Sequence, residues 1–131
     1  MMRLALILLL CTSCTVDKAM LADVNTEVNA YKYQREQGDI WKTPEQFYKD
    51  NGGDCEDFAI AKCAALKERG IRSNIVVGYD KITYEQHAVL VVGNMVLDNK
   101  EKHVYALEDF KSKYFILAQI KDCAEVIKGK S

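Results

Sequence analysis

GGDCEDFA, at residues 52–59, is the stretch from which the fold and the chemistry of this chain can be read. The two glycines allow the backbone to reverse, Asp54 is placed to cap a helix, and Cys55 opens that helix. A thiol at a helix N-terminus lies among unpaired N–H groups at the positive end of the helix dipole. That position favours the thiolate, which attacks carbonyl carbon, so Cys55 is a candidate nucleophile.

Two downstream residues complete a candidate catalytic triad. His87 begins one predicted strand and Asp98 ends the next, across a short hairpin link at Gly93-Asn94. A carboxylate beside His87 would fix the imidazole tautomer and stabilise the imidazolium. Each residue also has an ordinary structural explanation. Cys55 would be a thiol packed in the core, His87 a polar residue at the end of a strand, and Asp98 an aspartate that stabilises a turn.

An oxyanion formed by attack of Cys55 needs hydrogen-bond donors. The backbone N–H of Cys55 is one candidate. Trp41 and Gln46, on the preceding segment, are both candidates for a second donor, and the sequence does not choose between them.

The order of the predicted elements indicates an α+β domain in which a central nucleophile helix packs on a small antiparallel sheet. Apolar periodicity and capping signals predict three helices: Leu21 to about Gln37, ended by Gly38; a short one after Thr43 and Pro44; and Cys55 to Arg69. Branched apolar runs predict four strands: Asn74 to Tyr79, His87 to Val92, Met95 to Leu97 and Tyr114 to Ile120.

Length and charge restrict the class of protein. The chain has 131 residues and a formal net charge of -1. It therefore lacks the excess of positive charge that is typical of proteins that bind nucleic acid. We expect residues 20–131 to form a single domain.

Residues 1–19 have the pattern of an export leader followed by a short linker. Arg3 precedes an apolar run from Leu4 to Leu10, which is too short for a permanent membrane span. Thr12-Ser13-Cys14 resembles a bacterial lipoprotein processing site, which predicts a periplasmic protein attached to the membrane by a lipid on Cys14. A plain signal peptide or an uncleaved anchor is the alternative.

If the leader ends at Cys14, three cysteines remain in an oxidising compartment: Cys55, Cys63 and Cys123. A Cys63–Cys123 bridge is one arrangement, but buried free thiols are the simpler expectation.

Four segments together resemble the bacterial transglutaminase-like cysteine proteinase family. They are WKTPEQF at 41–47, GDCEDFAIAK at 53–62, HAVLV at 87–91 and VLDN at 96–99. The resemblance implies a fold similar to papain and transglutaminases, with the family's triad on Cys55, His87 and Asp98. It also implies a periplasmic endopeptidase acting on a protein or peptide, since characterised relatives clip large surface adhesins.

Three carboxylates crowd the proposed nucleophile. Asp54, Glu56 and Asp57 oppose a thiolate at Cys55, because like charge raises a cysteine pKa. The chemistry itself requires no cofactor, but a bound calcium ion would mask this repulsion. The family resemblance implies that the carboxylates beside the nucleophile bind calcium, as they do in some relatives. We therefore hypothesise a calcium site at Asp54 and Glu56.

Two other functions stay open. The same acyl-enzyme, resolved by a lysine amine instead of water, would give transglutaminase or amidase activity. A lipoprotein binding module could keep the fold without turnover.

His103 lies among charged residues, and we expect it to be a solvated loop residue.

Overall fold

The computed structural model describes residues 16–35, 40–123 and 127. Its helices are α1 (Lys18–Asn29), α2 (Pro44–Lys49), α3 (Cys55–Glu68) and α4 (Leu107–Lys113). Its strands are β1 (Lys32–Tyr33), β2 (Gly52–Gly53), β3 (Asn74–Asp80), β4 (Gln86–Val92), β5 (Met95–Leu97), β6 (Tyr105–Ala106) and β7 (Tyr114–Ile120). The predicted α+β class is confirmed. The residues predicted to carry the leader and its lipid, up to Thr15, lie outside the described ranges.

A five-stranded antiparallel sheet, in the order β6-β5-β4-β3-β7, forms the centre of the domain. Six of the seven residues of β4 are buried, because this central strand is covered on both faces. On one face, Leu90 and Leu97 pack with helices α1, α2 and α3. On the other face, Val89 and Val91 pack against Phe110 of α4. The nucleophile helix α3 therefore rests on β4, in which His87 is the second residue.

The start of α3 has the predicted cap. The Asp54 carboxylate accepts the Asp57 N–H at 3.2 Å, and the Asp57 carboxylate accepts the Asp54 N–H at 3.1 Å, which makes a reciprocal capping box. Helix α2 is capped by Thr43, which accepts the Gln46 N–H at 3.1 Å. The Gln46 side chain binds Asp50 at 2.7 Å and so does not complete a second box.

Three features differ from the sequence-based expectation. The first helix ends at Asn29, well before Gln37, because Lys32 and Tyr33 pair in parallel with Gly52 and Gly53. The predicted stop at Gly38 lies outside the described residues. Strand β6 and helix α4 were not predicted, since β6 has only two residues and depends on pairing with β5.

The expectation of free buried thiols at Cys63 and Cys123 is wrong. The two residues form a disulfide, with their Cα atoms 6.5 Å apart, which ties α3 to the chain just after β7. Both cysteines are buried, so the cross-link lies inside the core. Because the two cysteines are 60 residues apart in the sequence, no local pattern predicts that they lie close together in the fold.

Within the described part of the chain, no helix has the length and apolar character needed to cross a membrane.

Candidate active site

Cys55 is the first residue of α3, and its sulfur faces strand β4. The Ala88 N–H donates to Sγ of Cys55 at 3.5 Å. Since Ala88 follows His87 directly, this contact brings the start of the helix to the start of the strand. Cys55 is half-buried and is the free cysteine of the described residues.

His87 and Asp98 form a buried pair. The His87 Nε2 atom lies 2.7 Å from Oδ1 of Asp98, and the two side chains are 3% and 4% exposed. The pair forms because β4 and β5 are antiparallel neighbours, with Leu90 opposite Leu97, so that the strand ends carrying the two residues meet. Asp98 thus engages Nε2 of His87, and Nδ1 is the ring nitrogen that this pair leaves unused.

Asp98 is held by three further donors. Its carboxylate accepts the Tyr105 hydroxyl at 2.6 Å and the Lys100 N–H at 2.9 Å, and its carbonyl accepts Nδ2 of Asn29 at 3.0 Å. Burial acts to raise the pKa of Asp98, but the His87 hydrogen bond and charge, with the Tyr105 and Lys100 donors, hold that pKa below its usual range. Asp98 is therefore an ionised, oriented partner for His87.

Tyr105 is a site residue that the sequence reasoning missed. It lies on β6 opposite Val96 of β5, and this pairing carries its hydroxyl to Asp98. A lone tyrosine seven residues after an aspartate carries no recognisable signal. Only the pairing of β5 with β6 reveals the contact.

The helix start does not by itself produce a thiolate at Cys55. Burial raises the pKa of Cys55 to about 11, and the charges of Glu56 and Asp54 act in the same direction. The N–H donors of Ala88 and Glu56 act against this shift and are outweighed. The conflict expected between the thiolate and its neighbouring carboxylates is present in the structure.

The carboxylates around Cys55 have distinct environments. Asp57 is fully buried and accepts the N–H groups of Lys42 and Asp54, so it supports the local backbone. Glu56 accepts the Trp41 indole N–H at 3.0 Å. Burial is the largest cause that raises the pKa of Asp54 to about 7, and the negative charges of Asp57 and Glu56 act in the same direction.

These carboxylates suit a hard cation better than a soft one. Asp54 and Glu56 flank the nucleophile on one helix turn and offer the oxygen ligands that calcium takes. The described residues contain no group of three or more histidine, cysteine, aspartate or glutamate side chains arranged to hold a metal ion. Backbone carbonyls and water would have to supply the rest of a calcium shell here.

The two candidate oxyanion donors lie in different places. The Gln46 amide binds Asp50 within the α2 region. Trp41 packs against the same core cluster as Cys55, and its indole N–H reaches Glu56, the next residue. Both candidate side-chain donors are therefore already engaged with carboxylates, Trp41 with Glu56 and Gln46 with Asp50.

A cavity of about 280 Å³ opens onto Cys55 and His87, with Tyr33, Arg35 and Lys100 in its wall. A larger cavity of about 450 Å³ adjoins it at Lys100 and reaches Asp98 and Tyr105. His103 lines the larger cavity and is exposed, as expected for a loop residue. The half-buried Cys55 and the buried His87 thus line the same cavity.

The fold is similar to that of solved structures. The structure is similar to calcium-bound LapG of Legionella pneumophila, with 26% sequence identity and a TM-score of 0.73, over 79% of this chain and 65% of that chain. EGTA-treated LapG gives the same identity and TM-score, over 79% of this chain and 63% of that chain. The chain thus spans just under two thirds of the length of LapG. Among proteins of curated function, none matches the chain.

The family comparison covers most of the sequence. The model of the bacterial transglutaminase-like cysteine proteinases matches residues 11–126, which include the cysteine, the histidine and the aspartate described above. This chain belongs to the bacterial transglutaminase-like cysteine proteinase family.

Proposed function

We propose that this chain is an exported cysteine endopeptidase that cleaves a protein substrate with Cys55, His87 and Asp98. The observation that carries the proposal is the buried 2.7 Å His87–Asp98 pair, next to the strand N–H that contacts the Cys55 sulfur. An oriented imidazole beside a thiol is the arrangement that general-base activation of a nucleophile requires.

The reaction begins from a neutral thiol. Because the pKa of Cys55 is raised to about 11, the thiol keeps its proton at rest and His87 must remove it as the sulfur attacks the peptide carbonyl carbon. Asp98 stabilises the resulting imidazolium. The Cys55 N–H would hold the oxyanion, and the Trp41 indole N–H would join it only by giving up its hydrogen bond to Glu56.

The intermediate collapses when the peptide C–N bond breaks and His87 returns its proton to the leaving amine. A thioester between Cys55 and the acyl fragment remains. His87 then takes a proton from water, whose oxygen attacks the thioester carbonyl, and the acyl fragment leaves as a carboxylic acid. The Cys55 thiol is regenerated.

We also propose that Asp54 and Glu56 hold calcium. The negative charges of Asp57 and Glu56, which add to burial in raising the pKa of Asp54, favour a cation at this position. Calcium-bound and EGTA-treated forms are described for the similar protein LapG. A divalent ion here would offset the charges that oppose the thiolate. The side chains of Asp54 and Glu56 would bind it through carboxylate oxygens while Oδ1 of Asp54 continues to cap α3.

Export to the periplasm, with lipid attachment at Cys14, is part of the proposal. The Cys63–Cys123 disulfide supports it, since disulfides persist in oxidising compartments. The family resemblance makes a large surface adhesin the proposed class of substrate.

Iodoacetamide labelling of Cys55 tests the chemistry without knowledge of the substrate. We expect the labelling rate to depend on His87, so that His87→Ala changes both the rate and its pH dependence, while His103→Ala changes neither. Labelling of Cys55 that ignores His87 would contradict the peptidase proposal and would favour a binding module. Incorporation of a labelled primary amine into protein, dependent on Cys55, would assign the acyl transfer to transamidation.

A further inference from the structure

The loop at residues 98–102 carries Asp98 but lies beyond the sheet. The ladder between β4 and β5 ends at the pair of Leu90 and Leu97, and β5 pairs with β6 only at Met95 and Val96. Strand pairing in the described part of the chain therefore does not fix the backbone of Asp98. The Asp98 carboxylate nevertheless meets His87 at 2.7 Å, so other contacts must hold this loop in place.

Helix α1 holds the loop through two asparagines. Asn25 and Asn29 are four residues apart, so they lie one turn apart on the same face of the helix. Nδ2 of Asn25 donates to the carbonyls of Glu101 and Lys102, at 3.1 and 3.3 Å. Nδ2 of Asn29 donates to the carbonyls of Asp98 and Glu101, at 3.0 and 3.3 Å. Of the two asparagines, Asn29 is the one that contacts Asp98 itself.

The stability of the fold does not by itself account for an amide at position 29. Oδ1 of Asn29 is buried and has no hydrogen-bond partner within the described residues, which costs stability that an apolar side chain would not cost. The Asp98 carbonyl would also keep a donor without Asn29, since the Glu101 N–H lies 3.3 Å from it. The Asn29 amide therefore adds a second constraint on a carbonyl that is already paired.

We propose that Asn29 is a positioning residue, whose amide fixes the Asp98 carbonyl and thereby directs the Asp98 carboxylate onto Nε2 of His87. A hydrogen bond weakens steeply as its angle departs from linearity, so a small rotation of the backbone at Asp98 would weaken the contact with His87. The inference rests on the proposed function, in which Asp98 orients His87 for proton transfer.

The proton between Nε2 of His87 and Oδ1 of Asp98 reports their alignment in an NMR spectrum. A ring proton held in a short hydrogen bond to a carboxylate resonates far downfield of an exposed ring proton. The chain has two histidines, so the full chain carrying Cys55→Ala and His103→Ala leaves His87 as the source of this signal. We expect the signal in this chain, and its loss or a marked upfield shift when Asn29→Leu is added. A signal that is absent before Asn29→Leu is added, or unchanged after it, would overturn the inference.

Asn25→Leu is the matched control. Asn25 donates to the same loop from the same helix and has the same unpaired oxygen, but its amide donates to Glu101 and Lys102 instead of Asp98. We expect Asn25→Leu to keep the His87 signal. Equal loss of the signal in the two variants would assign the effect to the loop as a whole and would overturn the assignment to Asn29.

Folding of the Asn29 variants is itself informative. Asn29 is half-buried and is the last residue of α1, so the smaller Asn29→Ala replaces Asn29→Leu if the leucine chain does not fold. If both chains are unfolded, the amide serves the fold and not the site, and the inference fails.

Reactivity and stability separate positioning from packing. In the chain with Cys55 intact, Asn29→Leu should lower the His87-dependent rate of iodoacetamide labelling about tenfold, because the base is no longer aligned. Its Tm should change little, since the substitution also removes an unpaired buried oxygen. A large fall in Tm with an unchanged labelling rate would show that Asn29 only stabilises the loop. If labelling of the wild type ignores His87, the proposed function fails, and the His87 proton signal still decides the role of Asn29.

Discussion

Tyr105 holds the oxygen of Asp98 that His87 does not use. Its hydroxyl donates to Oδ2 at 2.6 Å, while Oδ1 lies 2.7 Å from Nε2 of His87. Burial and this hydrogen bond to a carboxylate raise the pKa of Tyr105, so the hydroxyl stays protonated and remains a donor. The orientation of the candidate base therefore depends on a two-residue strand at the edge of the sheet.

Replacement of Tyr105 by phenylalanine should impair the site more than the fold. The change leaves one buried carboxylate oxygen without its donor, which costs about 1–2 kcal/mol. We expect the His87-dependent labelling rate of Cys55 to fall about tenfold, and the Tm to fall by several degrees. Mass spectrometry of the alkylated chain measures the rate.

Tyr114→Phe is the control for this change. Tyr114 stacks on Phe110 and lies 5.7 Å from the His87 ring, so it shares the aromatic surroundings of Tyr105. It makes no hydrogen bond to Asp98 in the described structure. Equal losses in the two variants would mean that aromatic packing, not the Tyr105 hydroxyl, supports the histidine.

The reactivity of Cys55 should depend on calcium. With chelator present, the raised pKa of Cys55, about 11, predicts that alkylation accelerates only at strongly alkaline pH. Calcium should move this acceleration to lower pH, because a cation beside Asp54 and Glu56 favours the thiolate. Calorimetry should show binding that Asp54→Asn with Glu56→Gln abolishes. A labelling profile and a melting temperature that both ignore calcium would remove the metal from the proposal.

The stability of the calcium-free protein should fall as pH rises from about 4 to about 7. The pKa of Asp54 is about 7 in the folded chain and 3.8 without the fold, so the folded state binds the extra proton and is destabilised as that proton is lost. Allowing for solvent at this half-buried site, the effect is roughly 1–2 kcal/mol. Urea unfolding with chelator at several pH values measures it.

Asp54→Asn should flatten this dependence. Asparagine is as good an N-cap as aspartate and does not titrate, so the start of α3 should survive the change. If the free energy of unfolding depends on pH in the same way in the wild type and in Asp54→Asn, other titrating groups cause that dependence.

Loss of the Cys63–Cys123 bridge should destabilise the domain substantially. The bond closes a loop of 60 residues, for which the chain-entropy estimate is about 4 kcal/mol. We expect Cys63→Ala with Cys123→Ala to lower the urea midpoint, and reductant to do the same to the wild type. A wild type whose midpoint ignores reductant would show that the bridge contributes little.

Local signals in the sequence were sufficient for the main elements. The cap at Asp54, the proline after Thr43 and the branched runs from Asn74 to Leu97 act within one turn or one strand, so they can be read without the fold. Strand β1 could not be read in this way, because Lys32 and Tyr33 are extended only by pairing with Gly52 and Gly53. A side chain at Gly52 would collide with the backbone of Lys32, which explains a glycine that local turn chemistry had seemed to account for.

By itself, the sequence determined the chemical identity of the candidate site, since the cap, the cysteine at the helix start and the ordered histidine and aspartate are properties of short segments. Tertiary structure decided how deeply those groups are buried, which groups they contact and how their pKa values shift. Burial, which no local pattern encodes, raises the pKa of Cys55 against the helix dipole. Pairing of distant segments brings Tyr105 to Asp98 and joins Cys63 to Cys123. These effects depend on distances across the fold, and a one-dimensional sequence specifies such distances only after it has folded.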